Sequence, residues 1–221
     1  MKPIMMLGMP NCGSTWLAPI IATYSGLSYY DKEFFNPGTN PLHREEIASG
    51  FGSEQVSTYM NIANDVEKHS DALDAIFEST WAKYTWDFDK EVYMAWKLPW
   101  VTRHFTCFVL DRKPGSLFPA SRANVLIWYE AIHHSLMAHG RVELTAKRTL
   151  LSRAMLAHRI GRELLLRAGL PIIDLDVFSY GTPTRIAREL REVPVHMNVD
   201  AVVAEVMATR KTSRKTWREI D

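Results

Sequence analysis

The sequence predicts an α/β protein with a central, mostly parallel sheet and helices on both faces. Short apolar runs at residues 3–7, 105–110 and 170–175 have the length and composition of buried parallel strands. Longer stretches with helical spacing of apolar residues separate these runs. The chain has 221 residues. At roughly 150 residues per domain, one domain over 1–221 is expected.

The predicted elements follow one another as strand, glycine loop and helix at the start of the chain. The run 3–7 ends at Gly8, a small-residue loop follows, and helix 14–25 begins with Trp16 and Leu17 on its apolar side. A strand over 91–97 and the strand 105–110 come next. Helices are predicted over 124–139, 145–168, 182–192 and 199–209, with Gly169 ending the second of them.

Composition and charge exclude several classes of protein. Lys and Arg number 26 and Asp and Glu 25, a balance that argues against a general nucleic-acid coat protein. No apolar run reaches the roughly 18 residues of a membrane span, and the N-terminal run is too short for a signal peptide. Two cysteines make no disulfide framework. We therefore expect a cytoplasmic, globular protein without nucleic-acid or membrane partners.

The loop from Gly8 to Thr15 has the spacing G-x-x-x-x-G-x-[ST]. Glycines allow backbone N–H groups to turn inward, and the N-terminus of the following helix favours an anion at the same point. A Walker A loop carries Lys at position 14, where this chain has Ser14. An ATPase or a nucleotide kinase is therefore disfavoured. Phosphate binding and a plain tight turn both remain open from the loop alone.

Residues 10–17 (PNCGSTWL) resemble the P-K-S-G-T-T-W-L loop of the PAPS-dependent sulfotransferases, where PAPS is 3′-phosphoadenosine 5′-phosphosulfate. Asn11 departs from that loop, because the family has Lys or Arg there. The resemblance implies a P-loop-like sulfotransferase fold and a loop that holds the 5′-phosphosulfate. The implied loop residues are Pro10, Asn11, Cys12, Gly13, Ser14, Thr15 and Trp16.

Two later segments extend the resemblance. Residues 108–114 (FVLDRKP) are similar to the family's strand followed by R-[ND]-P, which implies that Arg112 binds the 3′-phosphate. The family's Ser eight residues after that Arg is Ala120 here, and Ser121 follows one position later. Residues 210–217 (RKTSRKTW) resemble R-K-G-x-x-G-D-W without its glycines, which implies that Arg210 and Lys211 close over the 3′-phosphate.

Catalytic residues are implied by two further matches. Residues 30–35 (YDKEFF) look like the K-E-x-x-F-F stretch of heparan-type sulfotransferases, which makes Glu33 the general base and Asp31 the alternative. Residues 96–99 (WKLP) resemble the family's K-x-P, which makes Lys97 the cation near the transferred group. Loop-surface positions for Glu33 and Lys97 are the competing interpretations. No His or Cys spacing indicates a metal site.

The function that these matches imply is transfer of a sulfuryl group from PAPS to a hydroxyl or amine, leaving the 3′,5′-bisphosphate PAP. The acceptor would be a small molecule or a glycan, and the segment 36–90 would shape its site. The alternative is a sulfotransferase-like protein that binds a nucleotide or anion without chemistry. Asn11, the displaced Ser121 and the missing glycines motivate that alternative.

Overall fold

The computed structural model describes residues 2–9, 12–31, 86–92, 98–112 and 161–210, with residues 71, 74, 75 and 78. In this part of the chain, four strands form one sheet in the order β2-β1-β3-β4, and every pairing is parallel. The strands are β1 (Ile4–Gly8), β2 (Phe88–Val92), β3 (Thr106–Asp111) and β4 (Ile172–Asp174). The predicted α/β class with a parallel sheet is confirmed.

Several of the described helices have capping residues at their ends. They are α1 (Ser14–Ser25), α2 (Leu98–His104), a helical stretch at 161–166, α3 (Leu175–Tyr180), α4 (Pro183–Leu190) and α5 (Val199–Thr209). Asp174, Thr182 and Asn198 cap α3, α4 and α5 by accepting backbone N–H bonds. Helix α1 ends at Gly26, where φ is 66° and the N–H groups of Gly26 and Leu27 reach back into the last turn.

Both faces of the sheet are covered by described helices. On one face, Met6 and Phe108 are buried with Leu17 of α1, Ile186 of α4 and Val202 of α5. On the other face, Trp100 of α2 and Leu165 are buried. Strand β1 is buried along its whole length between β2 and β3, which explains its continuous apolar composition.

Strand β2 differs from its prediction. The sequence indicates a strand over 91–97, whereas β2 runs from Phe88 to Val92, and residues 93–97 lie outside the described part. Three charged residues, Asp89, Lys90 and Glu91, are buried in the strand. A prediction based on the alternation of apolar residues misses this strand, because charged residues are rarely buried in strands. The predicted helix 124–139 and the segment 36–70 also lie outside the described part.

Burial of Cys107 in β3 predicts a pH-dependent stability. Cys107 is 6% exposed, and this burial raises the pKa of its thiol to about 12. A thiol in the unfolded chain loses its proton near pH 8.5, so the unfolded state binds fewer protons than the folded state above that pH. We expect the free energy of unfolding to fall by at most about 1.4 kcal/mol per pH unit between pH 8.5 and 12.

Chemical unfolding of the wild type and Cys107→Ala at several alkaline pH values measures this contribution. The variant removes the titrating group, so the difference in stability between the two proteins should change across this pH range. Parallel pH profiles would show that the thiol does not titrate differently in the folded and unfolded states.

Candidate functional site

The candidate site lies at the carboxyl edge of the sheet, where β1 and β3 are neighbours. The chain leaves β1 through α1 toward β2, on one side, and leaves β3 toward β4, on the other side. Parallel sheets bind ligands in the crevice at such a point, because the two connections diverge there. The described residues of the loop after β1, together with Arg112 after β3, therefore lie at the candidate site.

In the loop between β1 and α1, neighbouring side chains pack closely against two glycines. Gly13 has φ of 87°, in the left-handed region that favours glycine. A Cβ at Gly13 would lie 2.7 Å from Leu175 Cδ2, so the start of α3 packs directly on the loop. At the other end of the loop, the side chain of Cys12 occupies the space beside Gly8 that a Cβ would fill. The glycine spacing thus serves close packing as well as the turn.

The loop places the N-terminus of α1 at the candidate site. Gly13 is the N-cap residue, and α1 has no side-chain cap. The N–H groups of Trp16 and Leu17 donate to the Gly13 carbonyl. Within the described residues, the N–H groups of Gly13 and Thr15 have no protein acceptor. Free N–H donors and the helix dipole together favour an anion here.

Cys12 lies inside the loop as a neutral side chain. It is 1% exposed, and burial raises the pKa of its thiol more than hydrogen bonds from Ser14 and the charge of Lys90 lower it. A buried thiol with a raised pKa is a poor nucleophile. Cys12 therefore contributes packing and backbone to the site.

Lys90 was not predicted as a site residue, yet it contacts the first turn of α1. Its Nζ donates a 2.9 Å hydrogen bond to Thr15 Oγ1, from a position 75 residues later in the chain. The residue is 6% exposed. No local pattern marks this Lys among its charged neighbours, so only the pairing of β2 with β1 reveals it.

Arg112 follows β3 and reaches the same place as Cys12. Both residues line a small cavity at the carboxyl ends of β1 and β3. The preceding Asp111 accepts two hydrogen bonds from Arg162, of 2.7 and 2.6 Å, and this pairing raises the pKa of the Arg162 guanidinium. Because Arg162 neutralises Asp111, the negative charge of this carboxylate repels an anion beside Arg112 only weakly.

Arg210 is held near α1 by the end of α5. The indole Nε1 of Trp16 donates to Thr209 Oγ1 at 3.1 Å, across 193 residues of sequence. Arg210 follows directly, and its Nη1 donates to the Gly181 carbonyl at 2.8 Å. The predicted C-terminal segment therefore begins beside the first turn of α1.

Seven of the predicted site residues lie in the described part: Cys12, Gly13, Ser14, Thr15, Trp16, Arg112 and Arg210. Cys12 and Arg112 line the same cavity, and Trp16 contacts Thr209, the residue before Arg210. The other predicted residues lie outside the described part, so their roles stay predictions: Pro10, Asn11, Glu33, Lys97, Ser121 and Lys211. Asp31 is the last described residue before Glu33 and is exposed. Tyr29 pairs in parallel with Phe88 at the start of β2.

No model of a known protein family matches the chain, and no curated protein matches it. Among the described helices, none combines the length and apolar character needed to cross a membrane. No cluster of His, Cys, Asp and Glu suited to a metal ion occurs among the described residues. The geometry of the site and the sequence resemblance are therefore the grounds for a functional proposal.

Proposed function

We propose that the protein is a cytoplasmic sulfotransferase that moves a sulfuryl group from PAPS to a hydroxyl or amine of a small-molecule or glycan acceptor. One observation carries the proposal. Parts of three segments that resemble the family's nucleotide-binding motifs lie near one another: Cys12 and Arg112 line one cavity, and Trp16 donates to Thr209, the residue before Arg210. A chance match of three short motifs gives no reason for them to meet in space.

The electrostatics of this edge suit a nucleotide with two phosphate groups. At the start of helix α1, N–H groups without an acceptor among the described residues would donate to the 5′-phosphosulfate. Arg112, just after β3, and Arg210, just after α5, are the guanidinium groups that we propose to pair with the 3′-phosphate. Asp111 pairs with Arg162, and Arg112 and Arg162 both line the cavity.

The proposed transfer requires one bond to break and one to form. The bond between sulfur and the bridging oxygen of PAPS breaks, and the sulfur binds the acceptor oxygen or nitrogen. Glu33 would take the acceptor's proton, and Lys97 would stabilise the negative charge that grows on the bridging oxygen. PAP and the sulfated acceptor are the products.

Calorimetric titration with PAP tests the nucleotide site directly, with ATP and AMP as controls. We expect micromolar binding of PAP and weaker binding of ATP and AMP. Arg112→Ala should weaken PAP binding by about 10- to 100-fold, since a hydrogen bond to a charged group contributes roughly 1.5–3 kcal/mol. Arg188→Ala, at an exposed arginine of α4, is the control for loss of one positive charge.

A binding protein without chemistry is the second candidate function. Asn11 stands where the family has Lys or Arg, and that difference favours it. This candidate predicts PAP binding together with no sulfate transfer from PAPS to any acceptor of a broad panel. Failure of the wild type to bind PAP would overturn the sulfotransferase proposal, and failure to bind both PAP and inorganic phosphate would overturn both candidates.

A further inference from the structure

Lys90 is a buried cation next to the loop between β1 and α1, and that loop has no charged residue of its own. Residues 8–16 (GMPNCGSTW) contain neither Lys nor Arg. Lys90 is 6% exposed and its Nζ lies 2.9 Å from Thr15 Oγ1, in the first turn of α1. The strand thus supplies a positive charge in the first turn of α1, where the N–H groups of Gly13 and Thr15 have no acceptor among the described residues.

The charge of Lys90 has no counter-charge among the described residues. Its only described hydrogen-bond acceptor is the neutral hydroxyl of Thr15, and no described carboxylate lies within 4 Å of its Nζ. The flanking Asp89 and Glu91 point to the opposite face of the sheet, because side chains alternate along a strand. A buried ammonium without a counter-charge is unfavourable, so this arrangement calls for an anionic ligand.

Strand register explains how the side chain reaches the loop. Lys90 pairs with Met6, two residues before the end of β1 at Gly8. Met6 belongs to the apolar cluster on the face that α1 covers. Lys90 therefore extends beneath α1 toward its N-terminus, and Thr15 holds the ammonium there. Cys12 is close enough for the same charge to lower the pKa of its thiol, against the larger effect of burial.

We propose that Lys90 is the cation of the phosphate loop and pairs with the oxyanion bound at the N-terminus of α1. From strand β2, Lys90 places a positive charge beside the bound oxyanion, as a Lys inside the loop does in other phosphate loops. In terms of the proposed function, on which this assignment rests, the oxyanion is the 5′-phosphosulfate of PAPS. Lys97 remains the predicted cation for the transferred group.

Titration of wild type and Lys90→Met with PAP, AMP and adenosine 3′-phosphate tests this assignment. AMP carries only the 5′-phosphate and adenosine 3′-phosphate only the 3′-phosphate. We expect Lys90→Met to weaken PAP and AMP by about 10- to 100-fold, as loss of a charge-assisted hydrogen bond does. Adenosine 3′-phosphate should keep its affinity. Lys2→Met is the control, because Lys2 is exposed at the opposite end of β1.

Equal affinity of Lys90→Met and wild type for PAP would overturn the assignment and leave the proposed function standing. If Lys90→Met weakens the binding of adenosine 3′-phosphate as much as that of AMP, the assignment is also overturned. The loss of affinity would then not be specific to the 5′-phosphate. Titration with inorganic phosphate separates the two proposals. If wild type binds phosphate but not PAP, and Lys90→Met loses phosphate, Lys90 keeps its role and the sulfotransferase proposal falls.

A wild type that binds neither PAP nor phosphate would overturn both proposals. If Lys90→Met does not fold, Thr15→Val tests the same assignment, because Thr15 is exposed and its replacement disturbs the core less. It removes the hydroxyl that holds the ammonium, and we expect it to weaken PAP by about 3- to 10-fold, since a neutral hydrogen bond contributes roughly 0.5–1.5 kcal/mol. Unchanged affinity in that variant would overturn the role of Lys90.

Discussion

Replacing Glu33 by Gln is expected to reduce sulfate transfer by about 10²–10⁴-fold, the usual contribution of a general base. Gln has nearly the size of Glu but cannot take the acceptor's proton. Binding of PAP should stay within about twofold of the wild type, because a general base acts on the acceptor and not on the nucleotide. Turnover with PAPS and calorimetry with PAP are the two measurements.

The control for this variant is Glu192→Gln, at an exposed carboxyl just after α4. Asp31→Asn is a second arm of the experiment, since Asp31 is the alternative base. A loss of transfer in Asp31→Asn alone would move the base to that residue. A parallel loss of transfer and PAP binding in Glu33→Gln would mean that Glu33 supports the nucleotide site.

Replacing Gly13 by Ala is expected to destabilise the protein by about 2–4 kcal/mol, from two causes that add. The left-handed φ of 87° disfavours any residue with a Cβ. The new Cβ would also lie 2.7 and 2.9 Å from the two methyl carbons of Leu175. Chemical unfolding measures the stability, and calorimetry should show loss of PAP affinity because the N-terminus of α1 shifts.

Gly26→Ala is a matched control for this variant. Gly26 has φ of 66°, but no heavy atom lies within 4 Å of a Cβ built there. It should therefore show only the backbone cost of about 1–2 kcal/mol and keep the affinity for PAP. Equal destabilisation by the two substitutions would contradict the close contact between Gly13 and Leu175. The double variant Gly13→Ala/Leu175→Ala should lose less stability than the sum of its single substitutions.

Much of the sheet and its helices follows from local patterns. The structure confirms helices α1 and α5 at the residues predicted for them, and β1 and β3 within one residue of their predicted bounds. These elements carry signals that act over a few residues: continuous apolar runs, Gly26 after α1 and Asn198 before α5. Strand β4 and helix α4 are shorter than predicted, because ends of elements depend on contacts as well as on pattern.

The candidate site was predictable only in part. The glycine spacing predicts the loop, and the resemblance of residues 108–114 to a family motif predicts Arg112. Nothing local identifies Lys90, because its neighbours Asp89 and Glu91 make the segment look like solvent-exposed chain. The pairing of Asp111 with Arg162 is equally hidden, since 51 residues separate the two groups.

The amino-acid sequence by itself determined the α/β class, the glycine loop after β1 and the caps of the C-terminal helices, because each rests on interactions within a few residues. The tertiary structure alone decided the strand order, the packing of Leu175 on Gly13 and the approach of Lys90 to Thr15. Those features join residues far apart in the chain. Their free energy comes from burial and hydrogen bonding across elements, which exist only once the sheet has formed.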